Sequence, residues 1–546
     1  MQTSQNHKIS YGSGGFYVEP VQNLESYCLP SSENIDNYSS SDNSSQTTYP
    51  SVQTLEQYCT LESASTSNSF PCQNSPPALS FSSNNSPLSK IESNSYVLRP
   101  QHSLEIASGP PENDPYAILD LDDLSHKMRE LETAMLGPNV DMLDIYGALM
   151  PGEADSILLE AEKWKKMMEM VSRGDLKEML YTCAKAMAVN DMETTEWMMS
   201  ESRKMVSVSG NPIQRLGAYI VESLVARMAD SGSTIYKSLK CSEPTGNELL
   251  SYMHVLYEVC PYFKFGYLSA NGAIAEALKE ESEVHIIDFQ ISQGTQWVSL
   301  IHALAHRPGG PPKIRISGVD DSFSSYARGG GLDIVGKRLS ALAESCNVPF
   351  EFNAVRVPAS QVQLKDLELR PYEAVAVNFA IMLHHVPDAS VNGHNHRDRL
   401  LRLAKHLSPK VVTLVEQEFN TNNAPFLQRF VETMNYYLAV FDSIDAARPR
   451  EDKERINVEQ HCLAREVVNL IACEGEERVE RHELLNKWRM RFTDAGFSPY
   501  PLNSFINSSI KDLLQSYHGH YTLEEKDGAL FLGWKNQVLI ASCAWR

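Results

Sequence analysis

The chain has 546 residues and carries 48 basic against 69 acidic side chains, a formal net charge of −21. That balance excludes a protein held to DNA by a basic field over its whole surface, and leaves open a local basic groove. There is no zinc-finger spacing, no basic region leading into heptads, no apolar run of membrane-spanning length and no secretory leader pattern.

Residues 1–100 contain 24 Ser and 10 Asn against eight acidic and three basic residues. Such a segment cannot bury enough apolar area to offset the chain entropy lost on ordering, so 1–115 is expected to be a disordered head. Within it, Tyr58-Cys-Thr-Leu-Glu-Ser63 is an apolar-aromatic island. A short helix and linker are expected over 116–164, with Leu124, Met128, Leu131 and Met135 on one side and Gly137-Pro138 as the stop.

From about 155 to 280 the pattern is helical. Leu176, Met179, Leu180, Cys183, Ala184 and Met187 recur at three- and four-residue intervals, and Leu216, Ile220, Leu224 and Met228 continue the rhythm. Trp197 and Pro212 fall near expected element ends. Core packing is the plain reading of these positions, although Leu176-Lys-Glu-Met-Leu180 also resembles an L-x-x-L-L docking helix.

After 280, short apolar runs alternate with helices. Val284–Phe289, Ile314–Val319, Phe350–Val355, Ala374–Asn378 and Val411–Glu416 read as strands, with helices over 295–306, 332–345 and 396–407. The alternation predicts a parallel sheet covered on both faces. Ala529–Trp534 and Val538–Ala544 flank Lys535-Asn536-Gln537 and read as a closing antiparallel hairpin. The expected fold is therefore α/β and Rossmann-like. It has a methyltransferase-type, mostly parallel sheet ending in a C-terminal hairpin, preceded by an N-terminal helical cap. The expected domain is 165–546, with the cap over 165–280 and the α/β core over 281–546.

The sharpest local motif runs from Val284 to Trp297: a buried strand, an acid, a turn and a helix. Ligands of such folds sit over this turn. A methyltransferase would carry glycines two, four and six residues after the acid, where the backbone must approach a cofactor. Asp288 is followed at those positions by Gln290, Ser292 and Gly294. Asp320 at the end of the next strand and Asn378 at the end of a later one complete a vestigial pocket. Its alternative state is one filled by side chains, with Asp288 capping the following helix or bonding the turn. His384, His385, His394 and His396 cluster near a Gly/Asn-rich loop, which reads as solvent-exposed rather than metal-binding. Ten cysteines with no C-x-x-C pair suggest idle thiols in a reducing compartment.

Taken together, these motifs resemble the GRAS family of plant transcription regulators. Val284, His285, Ile286, Ile287 and Asp288 match its VHIID signature, between leucine-rich stretches at about 175–235 and 332–365. The stretch from Leu369 through Pro371, Tyr372 and Asn378 resembles the start of the PFYRE region. Phe430 to Phe441, Arg465-Glu466 and Ile471 to Glu483 resemble its later parts. Trp534, Ser542, Ala544 and Trp545 resemble the SAW region, with Cys543 inserted. Tyr58–Ser63 and Met128–Pro138 resemble the scarecrow-like branch named for phytochrome A signal transduction, and no DELLA-type motif is present.

The resemblance implies a nuclear or nucleocytoplasmic regulator, in the nucleus alone or in the cytoplasm as well, that is not an enzyme and needs no cofactor. It implies action through transcription factors and other GRAS proteins, as a homo- or heterodimer, with DNA contacted indirectly or through a local groove. The alternatives are an S-adenosylmethionine-dependent small-molecule methyltransferase and a direct sequence-specific DNA-binding factor.

Overall fold

The computed structural model describes residues 153–320 and 331–546. The expected head, its Tyr58 island and the helix at 119–136 lie outside the described residues. Helix α1 (Glu153–Arg173) belongs to a unit separate from that of residues 176–546.

Residues 176–546 open with helices α2 (Leu176–Ala188), α3 (Met192–Met205), α4 (Pro212–Met228), α5 (Gly246–Val259) and α6 (Pro261–Ala277). Their starts follow from local chemistry. Asn211 accepts from Gln214 N at 3.1 Å while Gln214 Oε1 accepts from Asn211 N at 3.0 Å, and Pro212 occupies the first turn, where its missing N–H costs nothing. Thr245 and Glu248 form the same reciprocal cap on α5. Pro212 thus sits at an element end as expected. Trp197 does not, because the Asp191 cap starts α3 five residues before it.

The docking reading of α2 fails on burial. Leu176 is 4% exposed and Met179 and Leu180 are 0% exposed, so the motif is the inner face of a packed helix. The helix packs on α3 and α4, and α4 packs in turn on α10 (Phe426–Asp445) and α11 (Ala464–Ala472). Arg215 of α4 is buried with Glu459 and Asp445, and Arg455 joins the same Glu459 carboxylate. This ion group ties the N-terminal helices to the 445–459 region.

The sheet has nine strands: β1 (Glu283–Asp288), β2 (Lys313–Val319), β3 (Phe350–Val355), β4 (Ala374–Ala380), β5 (Val411–Gln417), β6 (Pro499–Tyr500), β7 (Tyr521–Lys526), β8 (Ala529–Trp534) and β9 (Gln537–Trp545). The order is β3-β2-β1-β4-β5-β9-β8-β7, with β6 also on β9. The first five strands pair in parallel; β7, β8 and β9 close the sheet antiparallel. This is the expected mostly parallel α/β sheet with its C-terminal hairpin. Two strands escaped the sequence reading. β6 is two residues long, and β7 (Tyr-Thr-Leu-Glu-Glu-Lys) is an edge strand whose polar face carries little apolar pattern.

Strand alternation divides the core. Val284, Ile286, Ile314 and Ile316 face α6, α7 (Thr295–Ala305) and α8 (Leu332–Ser345). Ile287, Val377, Val412 and Leu414 face the other layer, with α9 (His396–His406) and α12 (Leu485–Asp494). Both faces being covered explains why these strands read as continuous apolar runs.

Candidate functional site

The turn after β1 is closed by its own side chains. Parallel pairing places Asp288 beside Asn378, each at the carboxyl end of its strand region. Asp288 Oδ2 accepts the indole N–H of Trp297 at 2.8 Å, and Oδ1 accepts from Asn378 Nδ2 at 3.1 Å and from the Gln290 amide at 3.3 Å. Asn378 exchanges two hydrogen bonds with Gln296, at 3.1 and 3.2 Å, and accepts from Thr413 Oγ1 at 2.8 Å. Gln296 also donates to Asn271 of α6 at 3.2 Å. Trp297 is 0% exposed and Asp288 2%. Burial pushes the Asp288 carboxyl up to about 6, against the pull of Trp297, Asn378 and the Gln290 amide.

The backbone of the turn is spent internally as well. Phe289 N donates to Asn378 O, Ile291 N to Val319 O, and Gly294 N to Ile291 O. Ser292 holds a φ of +50° and Gly294 one of +70°. A Cβ on Gly294 would stand 2.8 Å from Val335 Cγ1, so this glycine serves the packing of α7 against α8. The residues therefore do not fit a cofactor of the S-adenosylmethionine type: the amides and the acid that would hold it already hold one another. Of the two roles foreseen for Asp288, it bonds the turn, while the helix cap position falls to Gly294. Asp320 is 8% exposed just past β2, and residues 321–330 beyond it are not described.

The signature residues serve structural bonds. His285 Nε2 lies 2.7 Å from Ser317 Oγ, and its Nδ1 lies 2.9 Å from Arg315 Nη2, which makes Nδ1 the acceptor. Burial and the Arg315 charge lower this histidine to about 4, so the ring is neutral. Arg315 is itself ion-paired with Glu373. Tyr372, next to that pair, is 97% exposed with a φ of +73°, and Pro371 is also exposed. Glu466 accepts from the Tyr437 hydroxyl at 2.5 Å, and Arg465 lies over the Tyr236 ring at 5.2 Å. Trp534 donates to Asp442 at 2.6 Å, Ser542 bonds Ser269 at 2.8 Å, and Trp545 stacks on Phe492 at 4.9 Å. Ala544 pairs with Thr413 across the β5–β9 ladder. The inserted Cys543 is buried and accepts from the Trp545 indole at 3.2 Å.

The histidine cluster corrects the sequence reading in part. His394 is exposed and His396 half-buried, but His384 is 1% exposed, and His385 lies beside it. The apolar run before His384 and its capture of Glu416 draw it inward. Glu416 Oε1 accepts from the Met382 and Leu383 amides at 3.1 and 2.7 Å, and its Oε2 lies 2.6 Å from His384 Nδ1. Burial pushes Glu416 up to about 7. Glu480 and His482, both 0% exposed, complete the group from the stretch Arg478 to Glu483. No local spacing links residues 384, 416, 480 and 482, so no sequence pattern marks the group.

A family comparison then places the chain. The model of the GRAS domain family matches residues 176–546, and the chain belongs to that family. Scarecrow-like protein 5 of Arabidopsis thaliana is 65% identical over 78% of this chain and 70% of its own length. Scarecrow-like transcription factor PAT1 of Arabidopsis thaliana is 63% identical over 78% of this chain and 87% of its own. Chitin-inducible gibberellin-responsive protein 2 of Oryza sativa subsp. japonica is 56% identical over 86% of this chain and 84% of its own. Among solved structures, SCL7 of Oryza sativa superposes with a TM-score of 0.60 at 34% identity, covering 68% of this chain and 99% of that one. The chain is thus a plant GRAS protein similar to scarecrow-like transcription factors. No described helix is long and apolar enough to cross a membrane.

Proposed function

We propose that this protein regulates transcription in the nucleus by binding other proteins, in the light-signalling branch that takes its name from phytochrome A, and that it performs no catalysis. The single observation that carries the non-catalytic part is the closed turn, where Asp288, Trp297, Asn378 and Gln296 satisfy one another. Kinship with a protein described as a scarecrow-like transcription factor supports the regulatory part. In this reading the domain from about 165 to 546 presents surfaces to transcription factors or to other GRAS proteins, and residues 1–115 supply short segments that fold on partners.

Two experiments test it. A chromatin reporter assay compares the full chain with residues 165–546; the shortened chain is expected to activate or repress less, and equal output refutes the role of the head. Tagged full-length protein recovered from dark-grown and far-red-treated seedlings is expected to bring down transcription factors in a light-dependent set. Identical recoveries in both conditions refute the light-signalling assignment.

A further inference from the structure

The group formed by His384, Glu480 and His482 has the composition of a transition-metal site. His384 Nε2 and His482 Nε2 stand 3.4 and 3.6 Å from one atom, Glu480 Oε2, and the three donor atoms lie within 4.8 Å of one another. Ligand bonds of 2.0–2.1 Å in tetrahedral geometry put neighbouring donors about 3.3 Å apart, so two of the three edges are near that value already. Glu480 Oε2 is fully buried and accepts no hydrogen bond. A buried carboxylate oxygen left in this state is costly unless something cationic meets it.

The surroundings have the form of a metal-supporting shell. Glu416 holds His384 by Nδ1 at 2.6 Å, which turns Nε2 toward Glu480. Thr421 Oγ1 lies 3.1 Å from His482 Nδ1 and so fixes the second ring by the same nitrogen. Carboxylate and hydroxyl partners on the far nitrogen are the usual means of orienting ligating histidines. The donor set points the same way: the Glu480 carboxylate is buried among three imidazoles, and His384 and His482 both turn Nε2 toward the same oxygen. His385, whose side chain is 12% exposed and 3.2 Å from Glu480 Oε1, stands at the outer side of the group.

We propose that His384 Nε2, Glu480 Oε2 and His482 Nε2 bind one divalent transition cation of the zinc class. It would act as a structural staple joining the turn after β4 to the segment from Arg478 to Glu483. One rearrangement is required. The His384 and His482 rings stack at 4.3 Å with 18° between their planes, and His482 Nε2 lies 2.7 Å from Gln417 Oε1. On binding, the His482 ring tilts out of the stack, its proton moves from Nε2 to Nδ1, where Thr421 Oγ1 accepts it, and Nε2 exchanges the Gln417 bond for the cation. Gln417 Oε1, 2.7 Å from His482 Nε2, is a candidate for a fourth donor.

The test uses untagged full-length protein, stripped with chelator and titrated with Zn²⁺ and with Co²⁺. Expected are one ion per chain by elemental analysis, a visible absorption band of tetrahedral Co²⁺, and a melting temperature raised by either ion. Glu480→Gln and His482→Gln, each checked for folding by circular dichroism, are expected to abolish the band. Glu416→Gln, which keeps an oxygen for the Met382 and Leu383 amides but removes the charged partner of His384, should weaken affinity about 10- to 100-fold. Folded wild-type protein that binds no Co²⁺ and melts unchanged overturns the proposal. So does stoichiometric binding that survives in folded Glu480→Gln and His482→Gln. If both of these variants fail to fold, the Co²⁺ band of the wild type and its weakening in Glu416→Gln decide the matter.

Discussion

Replacing Trp297 by Phe removes one hydrogen bond and one ring from the closed turn while keeping an aromatic group in place. The indole N–H reaches Asp288 Oδ2 at 2.8 Å with both residues buried. Losing a buried hydrogen bond to a charged acceptor costs about 1.5–3 kcal/mol. The volume vacated by the smaller ring adds roughly 1 kcal/mol. The expected loss is therefore about 3 kcal/mol, or a fall in melting temperature on the order of 3–6 °C at about 1–2 °C per kcal/mol for a domain of this length. Urea unfolding followed by circular dichroism reads the difference. A double-mutant cycle with Asp288→Leu should return a coupling of about 1–3 kcal/mol between the two positions. A change below about 0.5 kcal/mol in Trp297→Phe, the range of an inconsequential substitution, would refute the claim that these residues lock the turn.

Three further substitutions probe the rest of the account. Glu459→Gln leaves Arg215 and Arg455 buried without their shared carboxylate and should cost about 3–5 kcal/mol in urea unfolding; an unchanged midpoint contradicts the ion group. Leu180→Ala should lower stability by about 2–5 kcal/mol, because Leu180 is 0% exposed; loss of partner binding at unchanged stability would restore the docking reading of α2. Glu418 carries a pH signature, its carboxyl being pushed up to about 7 by burial. A folded-state value above the unfolded one means the wild type gains stability as pH falls from about 7 toward 4.5 and loses it as pH rises. Glu418→Gln lacks that term, so its stability advantage over wild type, measured by unfolding at pH 8 and pH 5.5, should shrink at the lower pH. A constant difference between the two conditions refutes it.

The sequence exposed those parts of the molecule whose physics is local. Strands β1 to β5 are buried on both faces, so Val284–Asp288 and its counterparts stood out as apolar runs, and Gln290 and Ser292 stood out as side chains where a cofactor turn would carry glycines. What filled the turn was less visible. Trp297 and Gln296 look like ordinary residues of an amphipathic helix; the Trp297 bond to Asp288 is local, but Asn378, which bonds both Asp288 and Gln296, is brought to the turn only by strand pairing. His384 misled because its neighbours His394 and His396 belong to a polar loop, while its partners Glu416 and Glu480 come from β5 and from a stretch almost a hundred residues on. The L-x-x-L-L match of α2 added nothing to the plain reading of core packing: such a five-residue pattern is also what any packed helix face shows.

The central claim is that the turn over β1 is occupied by the protein's own side chains and holds no nucleotide-type cofactor. Isothermal calorimetry of the full-length protein with S-adenosylmethionine tests it most directly. The account predicts no heat of binding up to millimolar cofactor, for the wild type and for Asp288→Ala alike. Submicromolar binding by the wild type that disappears in Asp288→Ala would contradict it and turn the reading toward a methyltransferase.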